Sequence, residues 1–295
     1  MVLKVSETKM RIRSGLGVAG AVWCGCCLVL GMTWPDMVAA AGGEQPEQTV
    51  KKESIMEGVK AVIEDTKALV ISPSTMDRND VLKLGGALAV VGGMFALDHP
   101  IYDLVQRNST SSGRDVADKF NSWGSPGALL GYNAGIIAIG VASESYGASS
   151  KLKDAGLVSL EAEGFAIVAA SALKIITGRT RPDTSQGVTQ FRPFSGFDTS
   201  LPSTHAAASF AVATVFAERY SGAGWVGYPL ALLISASRVY TNKHFSSDVV
   251  AGALIGYGLG HFINSRHSAD PTDWQIGPMA LEGGLGGGLT IAKQF

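Results

Sequence analysis

Four apolar segments in the second half of the chain constrain its fold more than any other feature. Their periodicity predicts helices over about residues 156–178, 204–219, 225–238 and 246–265. Two further apolar segments precede this group, at about 81–97 and 127–146. The connections are rich in Gly, Ser and Pro, and short connections favour antiparallel neighbours. We therefore predict an all-α bundle of about six core helices.

Three polar stretches lie at the ends of these apolar helices. They are Lys174–Pro182, Pro202–His205 and Ser237–Asp248. The first closes one predicted helix, the second opens the next, and the third spans the junction of the last two. If neighbouring helices run antiparallel, all three stretches fall at the same end of the bundle.

The cations in these stretches suit a phosphate group. Arg181 and Arg238 offer planar forks of donors that match phosphate oxygens, and Lys174 adds a mobile point charge. Ser203 is predicted to be an N-cap, so that the free N–H groups of the helix beginning near Thr204 face the anion. Together the three stretches predict a site that handles phosphate.

Two histidines and one carboxylate add nucleophilic and acid–base chemistry. His244 and Asp248 stand four residues apart, so the carboxylate can hold one ring nitrogen while the other points at phosphorus. His205, at the start of the facing helix, is left to protonate the leaving oxygen. Each group alone has an ordinary structural interpretation, and their occurrence together at one end of the bundle favours the catalytic one.

The three stretches resemble the three motifs of the type 2 phosphatidic acid phosphatase (PAP2) superfamily, which also contains bacterial acid phosphatases and vanadium haloperoxidases. The family pattern is Lys-x6-Arg-Pro, Pro-Ser-Gly-His and Ser-Arg-x5-His-x3-Asp, and this chain departs from it only at Thr204, which replaces the glycine. The resemblance covers roughly residues 80 to 265, although only the motifs are specific. It implies that His244 attacks phosphorus to form a phosphohistidine, that Asp248 supports it, and that His205 protonates the departing group.

The same resemblance implies the phosphate ligands. Lys174, Arg181, Ser203 and Arg238 would hold the phosphate, with the amide of Thr204 as a further donor. A β-branched residue restricts φ and crowds a pocket where glycine would let the backbone approach the anion. We expect the phosphate site to persist with altered geometry, and we expect neither a metal nor a cofactor.

The expected activity is metal-independent hydrolysis of phosphate monoesters. Apolar surroundings favour lipid phosphates or isoprenoid diphosphates as substrates, with the membrane nearby. The alternatives are a periplasmic acid phosphatase with soluble substrates, a vanadate-dependent haloperoxidase, and a non-catalytic envelope or membrane protein. The formal net charge of −1 gives no basic excess, so nucleic acid is not an expected partner.

The N-terminal segment is typical of an export signal. Basic residues precede an apolar run from Gly15 to Trp34, and Ala39 to Ala41 offer a small-residue cleavage site. An uncleaved anchor is the alternative, because the run is long. The predicted organisation is a signal over 1–41, an amphipathic extension over 42–79, the phosphatase domain over 80–267, and a tail over 268–295.

The relation of the bundle to the membrane is the least constrained prediction. The 204–219 helix is short for a hydrocarbon core of about 30 Å, and Glu161 and Glu163 interrupt the 156–178 helix. We expect an exported, periplasmic, membrane-associated enzyme. An integral inner-membrane protein with a periplasmic active site is the alternative.

Three peripheral segments complete the sequence predictions. An apolar stripe on residues 50–71 is expected to pack on the bundle, with a membrane surface as the alternative. The long connection Asp183–Leu201 carries Phe191, Arg192, Phe194 and Phe197, and it is either a substrate lid or a loop packed on its own aromatics. Alternation around the glycines of the tail predicts a small, β-like hairpin.

Overall fold

The structure, a computed structural model, describes residues 52–184, 187–196, 198–267, 274–280 and 287–293, with side chains between residues 58 and 267 of these ranges. Residues 59–295 form one compact unit, and every contact described below lies within it. The predicted export signal, its cleavage site and Phe197 lie outside the described residues.

Helices dominate the described part of the chain, as the all-α prediction requires. The α-helices are α1 (Lys52–Thr75), α2 (Arg78–Asn108), α3 (Ser111–Trp123), α4 (Pro126–Glu144), α5 (Lys151–Thr177), α6 (Thr204–Arg219), α7 (Gly224–Tyr240) and α8 (Ser246–Arg266). A 3-10 turn, Pro182–Thr184, follows α5. The tail forms an antiparallel hairpin of β1 (Trp274–Ala280) and β2 (Gly287–Lys293), as predicted.

The predicted bounds of α5 to α8 agree with the structure to within a few residues, whereas α3 was not predicted. This helix forms in a polar stretch, where no long apolar periodicity marks it. Its N-cap is Thr110, whose side chain accepts a hydrogen bond from the N–H of Gly113 at 3.0 Å. Helix α2 is also longer than predicted, since it continues through Pro100 to Asn108.

Small residues line the contacts between α5, α6 and α8 and form the core of the bundle. The buried cluster takes one side chain every helical turn from α5 and α6 and one from α8, namely Val158, Ala162, Ala166, Ala170, Ala207, Ala211, Val215 and Ile263. Residues four apart lie on one helix face, so these stripes bring the backbones close together.

Glycines on α8 complete this close packing. A Cβ added at Gly252 would lie 2.3 Å from the carbonyl oxygen of Ser203, and one added at Gly256 would lie 2.2 Å from that of Ala207. The start of α8 is therefore held against the start of α6. In the same region, the N–H of Ser203 donates to the carbonyl oxygen of Asp248 at 2.9 Å.

Gly256→Ala is expected to lower the melting temperature, because the added methyl group would force α6 and α8 apart. Overpacking of this kind costs about 1–3 kcal/mol, more than the gain of up to about 1 kcal/mol from removing a helical glycine. Gly258→Ala is the matched control, since nothing lies within 4 Å of its added Cβ. Thermal unfolding of both variants in detergent checks this, and equal melting temperatures would contradict the close packing.

Three of the described helices are long and apolar enough to cross a membrane: α2, α4 and α5. The two carboxylates of α5 do not count against a span, contrary to the sequence expectation. Glu163 is fully buried and receives a hydrogen bond from Asn133 of α4 at 2.8 Å. Glu161 is also mostly buried. Both carboxylates thus face protein, as ionisable groups in spanning helices do.

Helix α1 does not pack through its apolar stripe, so that expectation was wrong. The stripe residues Val59, Val62, Ile63 and Val70 are all more than two-fifths exposed. The helix is instead attached through a polar contact. Buried Asp65 pairs with Arg266 and His267 at the end of α8.

The attachment of α1 is expected to be strongest at mildly acidic pH. A hydrogen bond to Glu161 raises the pKa of His267 against the effect of burial, and Asp65 adds to the rise. Burial alone would raise the pKa of Asp65, but hydrogen bonds from Arg266 and His267 outweigh it and lower that pKa. The histidine contribution is complete below its unfolded pKa of about 6.5 and is lost as pH rises through the folded value. The aspartate contribution is present above about pH 3.9 and is lost as pH falls through the folded value.

His267→Gln is therefore expected to destabilise the protein most between about pH 4 and 6.5, by about 1 kcal/mol because the site is partly exposed. The deficit should shrink as pH rises further. His261→Gln, which removes an exposed histidine paired with Glu218 at 2.8 Å, is the control. Melting temperatures across this range give the measurement, and a deficit that does not change with pH would contradict the assignment.

Candidate active site

The end of α5 places Lys174 and turns the chain back over it. The ammonium group of Lys174 is buried and donates to the carbonyl oxygens of Thr199 and Ser200, at 2.6 and 3.3 Å. Gly178 ends the helix at φ 60°, and a Cβ there would lie 1.8 Å from the carbonyl oxygen of Arg192. Only glycine fits this position, because both the left-handed backbone and the close approach exclude a side chain.

The start of α6 contributes the second polar stretch. Ser203 is the N-cap, as predicted, and its hydroxyl accepts a hydrogen bond from the N–H of Ala206 at 3.4 Å. Thr204 begins the helix, so its backbone does not need the conformational freedom of glycine. The first free N–H groups and the positive end of the helix dipole remain at this end. His205 stands in this first turn.

The connection between α7 and α8 holds the third stretch. The N–H groups of Lys243 and His244 both donate to the carbonyl oxygen of Arg238, at 3.0 and 3.2 Å. Asp248 Oδ2 accepts the N–H of Phe245 at 2.8 Å and lies 3.7 Å from Nδ1 of His244. This separation is longer than a hydrogen bond.

Electrostatic interactions connect charged residues and histidines of all three polar stretches. Burial, together with Arg238, His244, Lys174 and Arg181, lowers the pKa of His205 to about 3. Burial is also the main reason that the pKa of His244 falls to about 4, despite the contrary effect of Asp248. Because groups from all three stretches act on one another, the structure brings the predicted site residues together at one end of the bundle. At neutral pH His244 is an uncharged imidazole, the form that can attack an electrophile.

Two of the cations have polar neighbours at the rim of the site. Arg238 donates from Nη1 to the side-chain oxygen of Asn121, a residue of α3. Arg181 Nε lies 3.1 Å from Asp198 Oδ1, and this aspartate is almost fully exposed. Asn121 belongs to the helix that the sequence analysis missed, so its contact with Arg238 was not foreseen.

The long connection after α5 lies beside these groups. Its backbone is tied to the end of α5, because Arg192 donates to Gly178 O at 2.8 Å and Phe194 to Ile175 O at 2.7 Å. The ring of Phe191 lies 6.3 Å from that of Phe95 on α2, whereas Phe194 is 76% exposed. Phe191 thus lies near α2 whereas Phe194 is exposed, and the substrate lid remains a hypothesis.

Sequence reasoning missed a buried arginine beside Asp248. Arg179 is fully buried and donates from Nη1 to Asp248 Oδ1 and from Nη2 to Asp98 Oδ2, each at 2.7 Å. Asp98 is itself buried and comes from α2. A carboxylate at the end of the long apolar stretch of α2 was the available signal for Asp98, since such groups are rarely buried without a partner.

One group of residues in the described part of the chain has the composition of a metal site, and it is remote from the three stretches. It comprises Asp65, Glu161 and His267. Helix α8 has 21 residues, so His267 at one end lies about 30 Å from the start of the helix at the other. Arg266 already supplies a cation to Asp65. This group holds α1 to the bundle and has no evident part in phosphate chemistry.

The sequence model of the PAP2 superfamily matches residues 155–270. A curated relative, the lipid A 1-phosphatase of Porphyromonas gingivalis, is 35% identical over 111 residues, which are 35% of this chain and 22% of that protein. The chain thus matches about a fifth of the length of that relative.

Two solved structures are also similar. A transmembrane PAP2 type phosphatidylglycerolphosphate phosphatase from Bacillus subtilis has 18% identity and a TM-score of 0.46, over 71% of this chain and 95% of that one. LpxE from Aquifex aeolicus has 20% identity and a TM-score of 0.44, over 57% and 95%. The matched segment 155–270 contains all three polar stretches, and over this segment the chain is similar to the PAP2 superfamily.

Proposed function

We propose that this chain is a phosphatase that hydrolyses lipid phosphate monoesters through a phosphohistidine on His244. The observation that carries the proposal is a neutral, buried His244 beside Asp248, within electrostatic range of Lys174 and Arg238. A nucleophile, its orienting group and an anion clamp are the three parts that phosphoryl transfer needs.

The chemistry follows from the placement of these groups. Nε2 of His244 attacks phosphorus while the bond to the leaving oxygen breaks, and His205 gives that oxygen its proton. Asp248 stabilises the positive charge that develops on His244. Water then attacks the phosphohistidine, His205 takes a proton from it, and inorganic phosphate leaves. The cations and the N-terminus of α6 stabilise the charge on the equatorial oxygens in both steps.

A lipid substrate is favoured by the surface of the bundle. Apolar side chains such as Leu88, Val168 and Trp225 are more than three-fifths exposed, and three helices are long enough to cross a membrane. The named activity of the Porphyromonas gingivalis relative is also on a lipid phosphate. We infer an enzyme that works at the membrane, and we place its active site on the exported, periplasmic side.

Metal independence belongs to the same proposal. The anion clamp consists of Lys174, Arg181 and Arg238, and Asp248 is already engaged by Arg179. Such a donor set repels a divalent cation and attracts a phosphate, so the side chains themselves supply the positive charge that a metal would otherwise provide.

Purified full-length protein in detergent, with a chelator present, is expected to release phosphate from phosphatidic acid faster than from a soluble aryl phosphate. Vanadate should inhibit, because it occupies the same clamp. Preference for the aryl phosphate would point to a soluble substrate. Activity that the chelator abolishes and a divalent metal restores would refute metal independence. Halide oxidation in the presence of vanadate, without hydrolysis, would favour the haloperoxidase alternative.

A further inference from the structure

A buried network links α2 to the carboxylate that faces His244. Its centre is Arg179, whose guanidinium donates from Nη1 to Asp248 Oδ1 and Ser247 Oγ and from Nη2 to Asp98 Oδ2, each at 2.7 Å. Nε and Nη2 also donate to the carbonyl oxygen of Val188, at 3.1 and 2.6 Å. Every nitrogen of the guanidinium therefore has a partner, and one arginine is shared by two carboxylates.

The second carboxylate, Asp98, holds the first turn of α8. Its Oδ1 accepts from the hydroxyl of Ser246 at 2.7 Å and from the N–H of Ser247 at 2.8 Å, and its Oδ2 accepts from the hydroxyl of Ser247 at 2.5 Å. It thus acts as an anion at the N-terminus of α8, where the helix dipole favours negative charge. Asp248 lies in the same turn, so Asp98 fixes the backbone that carries it.

Aromatic rings seal this network from water. The guanidinium carbon of Arg179 lies 4.4 Å from the ring centre of Phe95, 4.3 Å from that of Phe245 and 5.8 Å from that of Phe191. Arg179, Asp98 and Asp248 are all buried. Hydrogen bonds and charges act more strongly in such a dry site, and a missing partner is not replaced by solvent.

The guanidinium of Arg179 is shared by two carboxylates, and this affects the net charge next to His244. If Arg179 paired with Asp248 alone, its charge would cancel the carboxylate that must support a positive imidazole. With Asp98 present, the three ionised groups carry a net charge of −1, and Asp248 Oδ2 lies 3.7 Å from His244 Nδ1. The ring nitrogen opposite, Nε2, then carries the free lone pair for attack.

We propose that Asp98 and Arg179 are positioning residues that act through Asp248 to fix the orientation and the tautomer of His244. This inference rests on the proposed phosphatase function and deepens it. Neither residue touches the substrate. Asp98 also lies outside the segment that matches the family model. The buried network therefore connects α2 to the end of the bundle that carries the three motifs.

The test compares Asp98→Asn with Asp103→Asn. Both substitutions remove one carboxylate from α2, but Asp103 is partly exposed and pairs with His99 and Arg107. The turnover number of Asp98→Asn on phosphatidic acid should fall about 10- to 100-fold, less than for loss of a direct partner. Its affinity for vanadate should stay within about threefold of wild type, because the phosphate ligands are untouched. Asp103→Asn should match wild type in both.

A second readout does not depend on activity. The 15N shifts of His244, assigned by their loss in His244→Ala, report which ring nitrogen carries the proton at neutral pH. Wild type should show Nδ1–H alone, and Asp98→Asn should show a mixture of both tautomers. An unchanged tautomer in folded Asp98→Asn would overturn the inference, whereas no hydrolysis by wild type would count only against the proposed function.

Ser247→Ala keeps every charge and provides a milder version of the test. It removes the hydroxyl that links Arg179 to Asp98. We expect a smaller decrease in turnover and a smaller share of the second tautomer than in Asp98→Asn. If Asp98→Asn does not fold, this variant decides: wild-type tautomer and turnover in Ser247→Ala would then overturn the inference.

Discussion

Replacing His244 by alanine is expected to reduce hydrolysis of phosphatidic acid by at least about 10⁴-fold, since loss of a catalytic nucleophile costs this much or more in other hydrolases. The alanine removes the proposed nucleophile, but it leaves Lys174, Arg181 and Arg238 in place. Vanadate binding should therefore persist while turnover disappears. Phosphate release and vanadate affinity, measured on the same preparation, separate the two effects.

The control for this variant is His99→Ala, which removes an exposed histidine of α2 that contacts Asp103. It should retain wild-type turnover. In wild type, acid-labile phosphate bound to the protein should appear on rapid mixing with substrate and be absent from His244→Ala. Residual turnover above about 1% in His244→Ala would mean that another group or a metal-bound water attacks phosphorus.

The end of the bundle that carries the three motifs was largely predictable from the sequence, because each motif is a short local segment. Residues of each motif lie at or beside one helix end. The expected helical turn between His244 and Asp248 was wrong, because His244 precedes α8, which begins at Ser246, yet the two side chains still lie 3.7 Å apart. Antiparallel packing of apolar helices then brings the motifs together. Ser203 as the N-cap of α6 followed from the same local logic.

The parts that sequence reasoning missed depend on contacts between distant segments. Asp98 and Arg179 are 81 positions apart, and nothing in either local sequence indicates that the two meet. The prediction that the apolar stripe of α1 packs on the bundle was wrong for a different reason. Periodicity shows which face of a helix is apolar but not what covers that face. Thr204 was accommodated for a reason visible only in the structure: its backbone already belongs to α6.

The glycines of α8 show that close helix packing cannot be predicted from the sequence pattern alone. Gly252, Gly256 and Gly260 look like neutral small residues in the sequence, yet each would bring a Cβ within 3 Å of α6 or the residue before it. They allow α6 and α8 to pack closely, and the first of them lies against Ser203, the N-cap of α6. Packing of the core and placement of this N-cap thus depend on the same contacts.

His205→Ala is expected to discriminate between leaving groups. On an alkyl phosphate such as phosphatidic acid, turnover should fall about 10³-fold, because an alkoxide cannot leave without a proton. On an aryl phosphate with an acidic phenol, the first step, measured as the initial burst of released phenol, should slow less than about tenfold, since that leaving group needs little protonation. His244→Ala should instead lose both activities equally, which makes it the reference for this comparison.

The protonation state of His205 also determines how turnover should depend on pH. Burial and the cations Arg238, Lys174 and Arg181 hold its pKa near 3, so an acid form must arise in the complex with substrate. A bound phosphate dianion adds negative charge among the same cations and raises the pKa of His205. Turnover on alkyl phosphates should therefore fall with rising pH in wild type, and this decline should be absent from His205→Ala. A series of phosphates with graded leaving-group acidity, measured across pH, tests both parts, and a uniform loss over the series would assign proton donation to another group.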